Sequence, residues 1–82
     1  MASFIMGAML KIGNRVRVIR KAKKITLIEL SKQTGIAQAT LSRIETGSMI
    51  GTVESHRKIA EALGLGLAVL YAPLDRRYEA II

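Results

Sequence analysis

Apolar residues at helical spacing mark two short segments near the middle of the chain. The first begins after Thr26, which forms a capping-box pattern with Glu29 because each side chain can bond a backbone N–H that the first helical turn leaves unpaired. Leu27, Ile28 and Leu30 follow at spacings that predict one apolar face. We therefore expect a helix that starts at Thr26.

The second segment spans residues 38–46 and lies between two glycines. Gly35 and Gly47 occupy positions where a helix commonly ends in a residue of left-handed conformation. Leu41 and Ile44 are three residues apart and share one side of this second helix. The pattern predicts two helices joined by a tight turn.

The opposite side of the second helix carries side chains that can recognise base edges. Gln can form two hydrogen bonds to adenine and Arg two to guanine, and a small side chain can meet a thymine methyl. We predict that four residues contact bases: Gln38, Ala39, Ser42 and Arg43. A solvated polar face is the alternative interpretation of these four residues taken alone.

Three further helices are predicted around this pair. A basic amphipathic helix runs from about Lys11 to Lys23, with Ile12, Val16 and Ile19 as its apolar stripe. A later helix begins at an N-cap, Thr52, and ends before Gly64. Its predicted core stripe is Val53, His56, Ile59, Ala60 and Leu63. The lone His56 on an apolar face predicts a hydrogen-bonded residue of the core or its edge rather than a ligand or catalyst.

The last predicted helix is short and covers residues 67–71, between Gly66 and Pro73. Leu67, Leu70 and Tyr71 are its expected core contacts. We divide the chain into an N-terminal extension (1–10), a helical domain (11–71) and a C-terminal tail or linker (72–82). The extension is apolar, and a short dimerisation arm is an alternative interpretation of it; the tail is compatible with either a dimer arm or a linker.

Composition supports an all-α fold and argues against several classes of function. The 82 residues are 50% hydrophobic but only 4% aromatic, so the core must consist of aliphatic side chains, as helical bundles allow. With no Cys and one His, neither a disulfide framework nor a structural zinc site is expected. No Gly-rich phosphate loop or carboxylate pair at useful spacing occurs, so we expect no cofactor, no metal and no enzymatic activity.

The charge is unevenly distributed along the chain. The net charge is +7, and residues 1–35 contain eight Lys or Arg against the single acid Glu29. Such a local excess indicates a polyanionic partner or an anionic membrane surface. Membrane binding is disfavoured because the apolar face of the basic helix is narrow and lacks Trp or Phe. Together with the base-recognising face of the second helix, this basic region predicts double-stranded DNA as the partner.

Phosphate contacts would orient the protein on a duplex without carrying sequence information. The candidates combine the cations ahead of the helix pair with hydroxyl groups at helix ends. They are Arg15, Arg17, Lys21, Lys23, Lys24, Thr26, Thr40 and Ser48.

The motifs resemble the helix-turn-helix of the Xre family, of the Cro and phage-repressor type, over about residues 12–70. The matching elements are Arg20, E-L at 29–30, Gly35, Q-x-T-L-S-R-I-E at 38–45, Gly47 and I-A-E-A-L-G at 59–64. The resemblance implies a compact bundle of five helices whose third helix enters the DNA major groove. It also implies a cytoplasmic prokaryotic transcription regulator that acts as a homodimer on half-sites about one helical turn apart.

The resemblance further implies that Arg20 forms an ion pair with Glu45. The sequence departs from the family pattern at three places. Leu27 replaces a Gln that usually binds phosphate, Ala37 replaces a Ser or Thr cap of the recognition helix, and Gly51 replaces a frequent Pro. These departures bear on individual contacts rather than on the fold.

A second function remains open at this point, namely a protein-interaction module such as an antitoxin-like or adaptor domain. The apolar C-terminal tail, the large apolar Met49 and Ile50 in a predicted loop, and the absent Gln at position 27 favour it.

Overall fold

A computed structural model describes the backbone of residues 2–72 and the side chains of residues 12–72. It contains α1 (Ala2–Ala22), α2 (Leu27–Thr34), α3 (Gln38–Thr46), α4 (Val53–Ala62) and α5 (Leu67–Tyr71), and residues 2–72 form no strand. The predicted all-α bundle of five helices is therefore confirmed. All of the predicted tail (72–82) except Ala72, and the side chains of the N-terminal extension (1–10), lie outside the described residues.

Local hydrogen bonds fix where the middle helices begin and end. Thr26 and Glu29 form the predicted capping box at the start of α2, and Thr52 and Ser55 form another at the start of α4. Gly35 and Gly47 end α2 and α3 with φ of 75° and 86°, a conformation that costs glycine little. The predicted boundaries of both central helices are confirmed.

All five helices contribute side chains to the core. The helix α3 packs against α1 and α2, α2 also packs against α4, and α5 lies across α1 and α4. Ten apolar side chains are buried there: Ile12, Val16, Ile19, Leu30, Leu41, Ile44, Ile59, Ala60, Leu63 and Leu70. The core is entirely aliphatic, as the composition predicts.

The backbones of α1 and α3 approach each other closely at Gly13. A Cβ atom placed on Gly13 would lie 1.7 Å from the carbonyl oxygen of Ile44 and 3.1 Å from the Cα of Glu45. Only a residue without a side chain leaves room for the backbone of α3 at this point. Position 13 therefore sets the distance between the two helices.

The structure corrects several expectations about individual positions. The first helix begins at Ala2 rather than near Lys11, because residues 2–10 contain Ala, Met and Leu and no proline to interrupt it. Val53, the first residue of α4, is 61% exposed and is not part of the core stripe. Ile28 and Tyr71, also expected to face the core, are 54% and 41% exposed.

Within the described residues, no helix is both long enough and apolar enough to cross a membrane.

Candidate nucleic-acid interface

Side-chain hydrogen bonds hold the turn between α2 and α3 in a single shape. The Ser31 hydroxyl donates to the carbonyl of Ile36 at 2.6 Å. The Thr34 hydroxyl donates to the carbonyl of Leu30 at 2.8 Å and accepts from the backbone N–H of Ile36 at 3.2 Å. Because these bonds cross the turn, they fix the direction in which α3 leaves it.

The helix α3 separates an apolar side from a polar one. Leu41 and Ile44 are buried, while Gln38, Ala39 and Arg43 are exposed. Of the other two candidates on this helix, Ser42 and Thr40 are half-buried. In a helix, residues four apart are neighbours, so Gln38 lies beside Ser42 and Ala39 beside Arg43. The four predicted base-contacting residues thus form two adjacent rows on one face.

The helix α3 begins without a side-chain cap. Ala37 occupies the N-cap position, with φ −56° and ψ 140°, and its side chain forms no hydrogen bond to the first turn. Near the other end of α3, the backbone carbonyl of Arg43 accepts three hydrogen bonds. The donors are the backbone N–H of Met49 at 3.1 Å and the hydroxyls of Thr46 and Ser48 at 3.2 and 3.3 Å.

Arg20 and Glu45 form the ion pair that the family resemblance implies. Arg20 Nε lies 2.7 Å from Glu45 Oε2 and Nη2 lies 2.9 Å from Oε1, so the carboxylate is bound in a bidentate manner. Both residues are buried. The hydrogen bonds to Glu45 raise the pKa of the Arg20 guanidinium above its ordinary value, while burial opposes this effect.

The same guanidinium connects the end of α1 with the end of α3. Arg20 Nη1 donates to the carbonyl of Ile25 at 2.8 Å, in the turn between α1 and α2. That turn carries the exposed Lys23 and Lys24, and Lys24 adopts φ 58°, a left-handed conformation unusual for a residue with a side chain. The cationic turn is therefore held next to the last turn of α3.

The other phosphate candidates occupy different environments. Arg17 and Lys21, one helical turn apart on α1, are exposed. Thr26 is exposed, but its hydroxyl is engaged with Glu29 in the capping box at 3.0 Å. Ser48 is exposed, in the loop that follows α3. Contacts of these groups with phosphate stay predictions.

The prediction that Arg15 contacts phosphate is wrong. Arg15 is only 6% exposed, and its Nη1 donates to the carbonyl oxygens of Val69, Leu70 and Ala72 at 2.9, 3.0 and 2.8 Å. These carbonyls end α5 and carry the partial negative charge of a helix C-terminus, which attracts a cation. Arg15 thus ties α5 to α1.

The apolar pattern of α1 already contained this information about Arg15. The residue follows Ile12 by three positions and precedes Ile19 by four, so it lies on the buried stripe of the helix. The spacing of Arg15, rather than its charge, indicates where its side chain lies.

The prediction for His56 is confirmed. His56 is 1% exposed, and both ring nitrogens have partners: Nδ1 lies 2.7 Å from the hydroxyl of Tyr71 and Nε2 lies 2.6 Å from the carbonyl of Ile50. Burial raises the pKa of the Tyr71 hydroxyl. No pattern in the sequence identifies these two partners.

Across the part of the chain that the structure describes, no group of three or more His, Asp or Glu side chains could hold a metal ion.

A family model described as helix-turn-helix matches residues 16–70. The match begins within α1 and ends within α5, so it includes the whole of α2, α3 and α4. No curated protein and no solved structure matches the chain.

Proposed function

Because this chain belongs to the helix-turn-helix family, whose members are DNA-binding transcription regulators of a typically non-enzymatic type, we propose that it binds double-stranded DNA sequence-specifically through α3. The family predicted from the sequence motifs is thus confirmed. The observation that carries the proposal is the polar face of α3, where Gln38 and Arg43 are exposed above the buried Leu41 and Ile44.

In the proposed complex, α3 lies in the major groove. Arg43 pairs with guanine and Gln38 with adenine, while Ala39 meets a thymine methyl and Ser42 bonds an adjacent base. The short side chains of Ala39 and Ser42 leave space for the longer ones to reach the base edges. The fixed turn before α3 supports this arrangement, since it holds the helix at one angle.

Phosphate contacts come from the exposed cations near the α1–α2 turn. Arg17, Lys21, Lys23 and Lys24 supply positive charge, and Thr26, Thr40 and Ser48 supply hydroxyl groups. The link from Arg20 to both Ile25 and Glu45 supports this assignment, because it keeps the cationic turn close to the end of α3.

We further propose that the protein is a cytoplasmic prokaryotic regulator and that it acts as a homodimer on two half-sites about one helical turn apart. A dimer would place two copies of α3 in successive major grooves on one side of the duplex.

Selection of binding sites from a random duplex pool tests the proposal. We expect enrichment of a palindromic sequence whose half-sites are separated by about one helical turn. On the selected duplex, Gln38→Ala and Arg43→Ala should each cost about 1 to 3 kcal/mol of binding free energy, and less on unselected DNA.

Two matched variants control for the loss of a polar side chain. Gln33→Ala on α2 and Arg57→Ala on α4 remove the same residue types from exposed positions outside the proposed face, and they should leave affinity unchanged. Equal losses on selected and unselected duplexes for Gln38→Ala and Arg43→Ala would contradict base recognition.

A protein-interaction module is the second candidate. The exposed apolar side chains of Met49, Val53 and Tyr71 favour it, because such side chains gain from burial against a partner. This function predicts association with a protein partner that persists at high salt, together with a selection experiment that enriches no duplex. DNA binding predicts the opposite salt response.

A further inference from the structure

The imidazole of His56 connects the loop after α3 with the last helix. Its Nε2 lies 2.6 Å from the carbonyl oxygen of Ile50, and a carbonyl can only accept a hydrogen bond. Nε2 therefore carries the proton. In the neutral ring Nδ1 is then an acceptor, and it receives the hydroxyl of Tyr71 at 2.7 Å. The Ile50 carbonyl thus determines the tautomer, and the Tyr71 hydroxyl, which can donate, satisfies the other ring nitrogen and holds the ring in place.

Tyr71 is itself held in place from two sides. Its ring packs edge-on against the imidazole, with centroids 5.6 Å apart and planes at 84°. The carbonyls of its chain neighbours Leu70 and Ala72 accept hydrogen bonds from Arg15. Contacts therefore run without interruption from α1 through α5 and α4 to the loop that follows α3.

That loop, residues 47–52, folds tightly over the imidazole. Met49 N–H bonds the carbonyl of Arg43 near its start, and Thr52 N–H bonds the Ser55 hydroxyl at its end at 2.9 Å. Between these points Gly51 adopts φ 86°, and a Cβ there would lie 3.3 Å from His56 Nε2. The hydrogen bond to Ile50 thus supports the middle of the loop.

We propose that His56, oriented by Tyr71, is a positioning residue for DNA binding: it sets the shape of residues 47–52 so that Ser48 and the neighbouring backbone meet a phosphate group. This inference depends on the proposed function, in which the Ser48 hydroxyl of this loop contacts a DNA phosphate. A phosphate contact is the same for every base sequence, so the contribution of the loop to binding should be equal on all duplexes. Because the loop contains no Lys or Arg, its contact should not release counterions.

Tyr71→Phe and His56→Leu test the inference, because the first removes one hydrogen bond of the imidazole and the second removes both. Tyr71→Phe deletes one hydroxyl from a partly exposed ring, so the fold should persist even if His56→Leu unfolds the protein. We expect binding to weaken by roughly threefold for Tyr71→Phe and roughly tenfold for His56→Leu, in line with the loss of one or two modest hydrogen bonds. The loss should be equal on the selected duplex and on random duplex, with an unchanged slope of log affinity against log salt.

Two measurements separate positioning from mere stability. Ile59→Val removes a buried methyl group from the same helix without touching the loop, and its affinity should equal that of the wild type at a temperature where all variants are folded. Amide hydrogen exchange at residues 48–51 of the free protein should accelerate in Tyr71→Phe and His56→Leu but not in Ile59→Val. Long-range ¹H–¹⁵N spectra of the imidazole should show the Nε2–H tautomer in the wild type.

Unchanged affinity in a folded Tyr71→Phe with unchanged loop exchange would overturn the inference. A loss confined to the selected duplex would also overturn it, because it would place the effect on base recognition. If the wild type enriches no duplex, the proposed function fails first, and that result is recognised before any variant is compared.

Discussion

Two arginines of α1 are buried, and each is compensated by a different kind of negative charge. Arg20 faces the carboxylate of Glu45, whereas Arg15 faces three carbonyl oxygens at the end of α5. A buried cation needs such partners because its removal from water is costly. Both side chains act in the fold rather than directly on a ligand.

Removal of one member of the buried ion pair should strongly destabilise the protein. Arg20→Ala leaves Glu45 buried without its partner, at an expected cost of about 3 to 5 kcal/mol. This is a large part of the ~5 to 15 kcal/mol typical of a folded domain. Urea denaturation followed by circular dichroism measures the change.

Two further variants show whether pairing is the cause. The double variant Arg20→Met with Glu45→Leu should recover most of the stability, because it leaves no unpaired charge in the core. Arg57→Ala removes an arginine whose ion pairs with Glu54 and Glu61 are exposed, and no measurable change is expected. An Arg20→Ala protein as stable as the wild type would refute the role assigned to the pair.

At the scale of the element, the crossing of α1 and α3 depends on one missing side chain. Gly13→Ala would place a methyl group against the backbone of Ile44, which cannot rotate away. We expect a loss of roughly 3 kcal/mol or more in the free energy of unfolding, despite the better helix propensity of Ala. Thermal or urea denaturation would show it.

Gly66→Ala is the control for this substitution. Gly66 has φ −78°, and no atom lies within 4 Å of the added Cβ, so the change should stay below about 1 kcal/mol. Similar losses for Gly13→Ala and Gly66→Ala would show that steric exclusion at the crossing is unimportant.

The uncapped start of α3 predicts a stabilising substitution. Ala37→Ser supplies a hydroxyl that can accept from the first turn, and it should stabilise the protein by about 1 kcal/mol. Thr26→Ala, which removes the existing cap of α2, should destabilise it by a similar amount. A shift of the denaturation midpoint in the same direction for both variants would contradict this reasoning.

Helix boundaries were predictable where their signals are local. Thr26, Gly35, Gly47 and Thr52 act on the backbone within four residues, so the sequence alone identifies them. The start of α1 was not predictable, because residues 2–10 carry no polar face that would reveal helical periodicity. The partners of His56 lie up to 15 residues away, and only packing brings them together.

The candidate site, like the helix boundaries, could be predicted from the sequence only in part. The outward face of α3 followed from the spacing of Leu41 and Ile44, and the structure places Gln38 and Arg43 at the surface as expected. Charge, by contrast, does not identify location. Arg15 and Arg17 are two residues apart in sequence, yet one is buried and the other exposed.

For the whole molecule, the concentration of cations in the first part of the chain predicts a steep dependence of DNA affinity on salt. Lys21→Gln, Lys23→Gln and Lys24→Gln should each weaken binding to all duplexes and lower the slope of log affinity against log salt by about 1. Titrations by fluorescence anisotropy at several salt concentrations measure this slope.

Lys58→Gln serves as the matched control, since it removes an exposed lysine from α4, away from the cationic turn. Its slope should equal that of the wild type. If all four lysine variants change the slope equally, binding would depend on overall charge instead of on the surface near α3.

The contact between Gly13 and the backbone of Ile44 has a consequence for the thermodynamics of association. The backbones of α1 and α3 are in direct contact at this point, and Arg20 of α1 binds the neighbouring Glu45 of α3. The helix α3 therefore has little freedom to shift relative to α1. A partner that docks on α3 meets a preorganised surface and incurs little loss of conformational entropy in the protein. The structures of the free and the partner-bound protein should accordingly superimpose over α1 and α3 together, without a shift of one helix against the other.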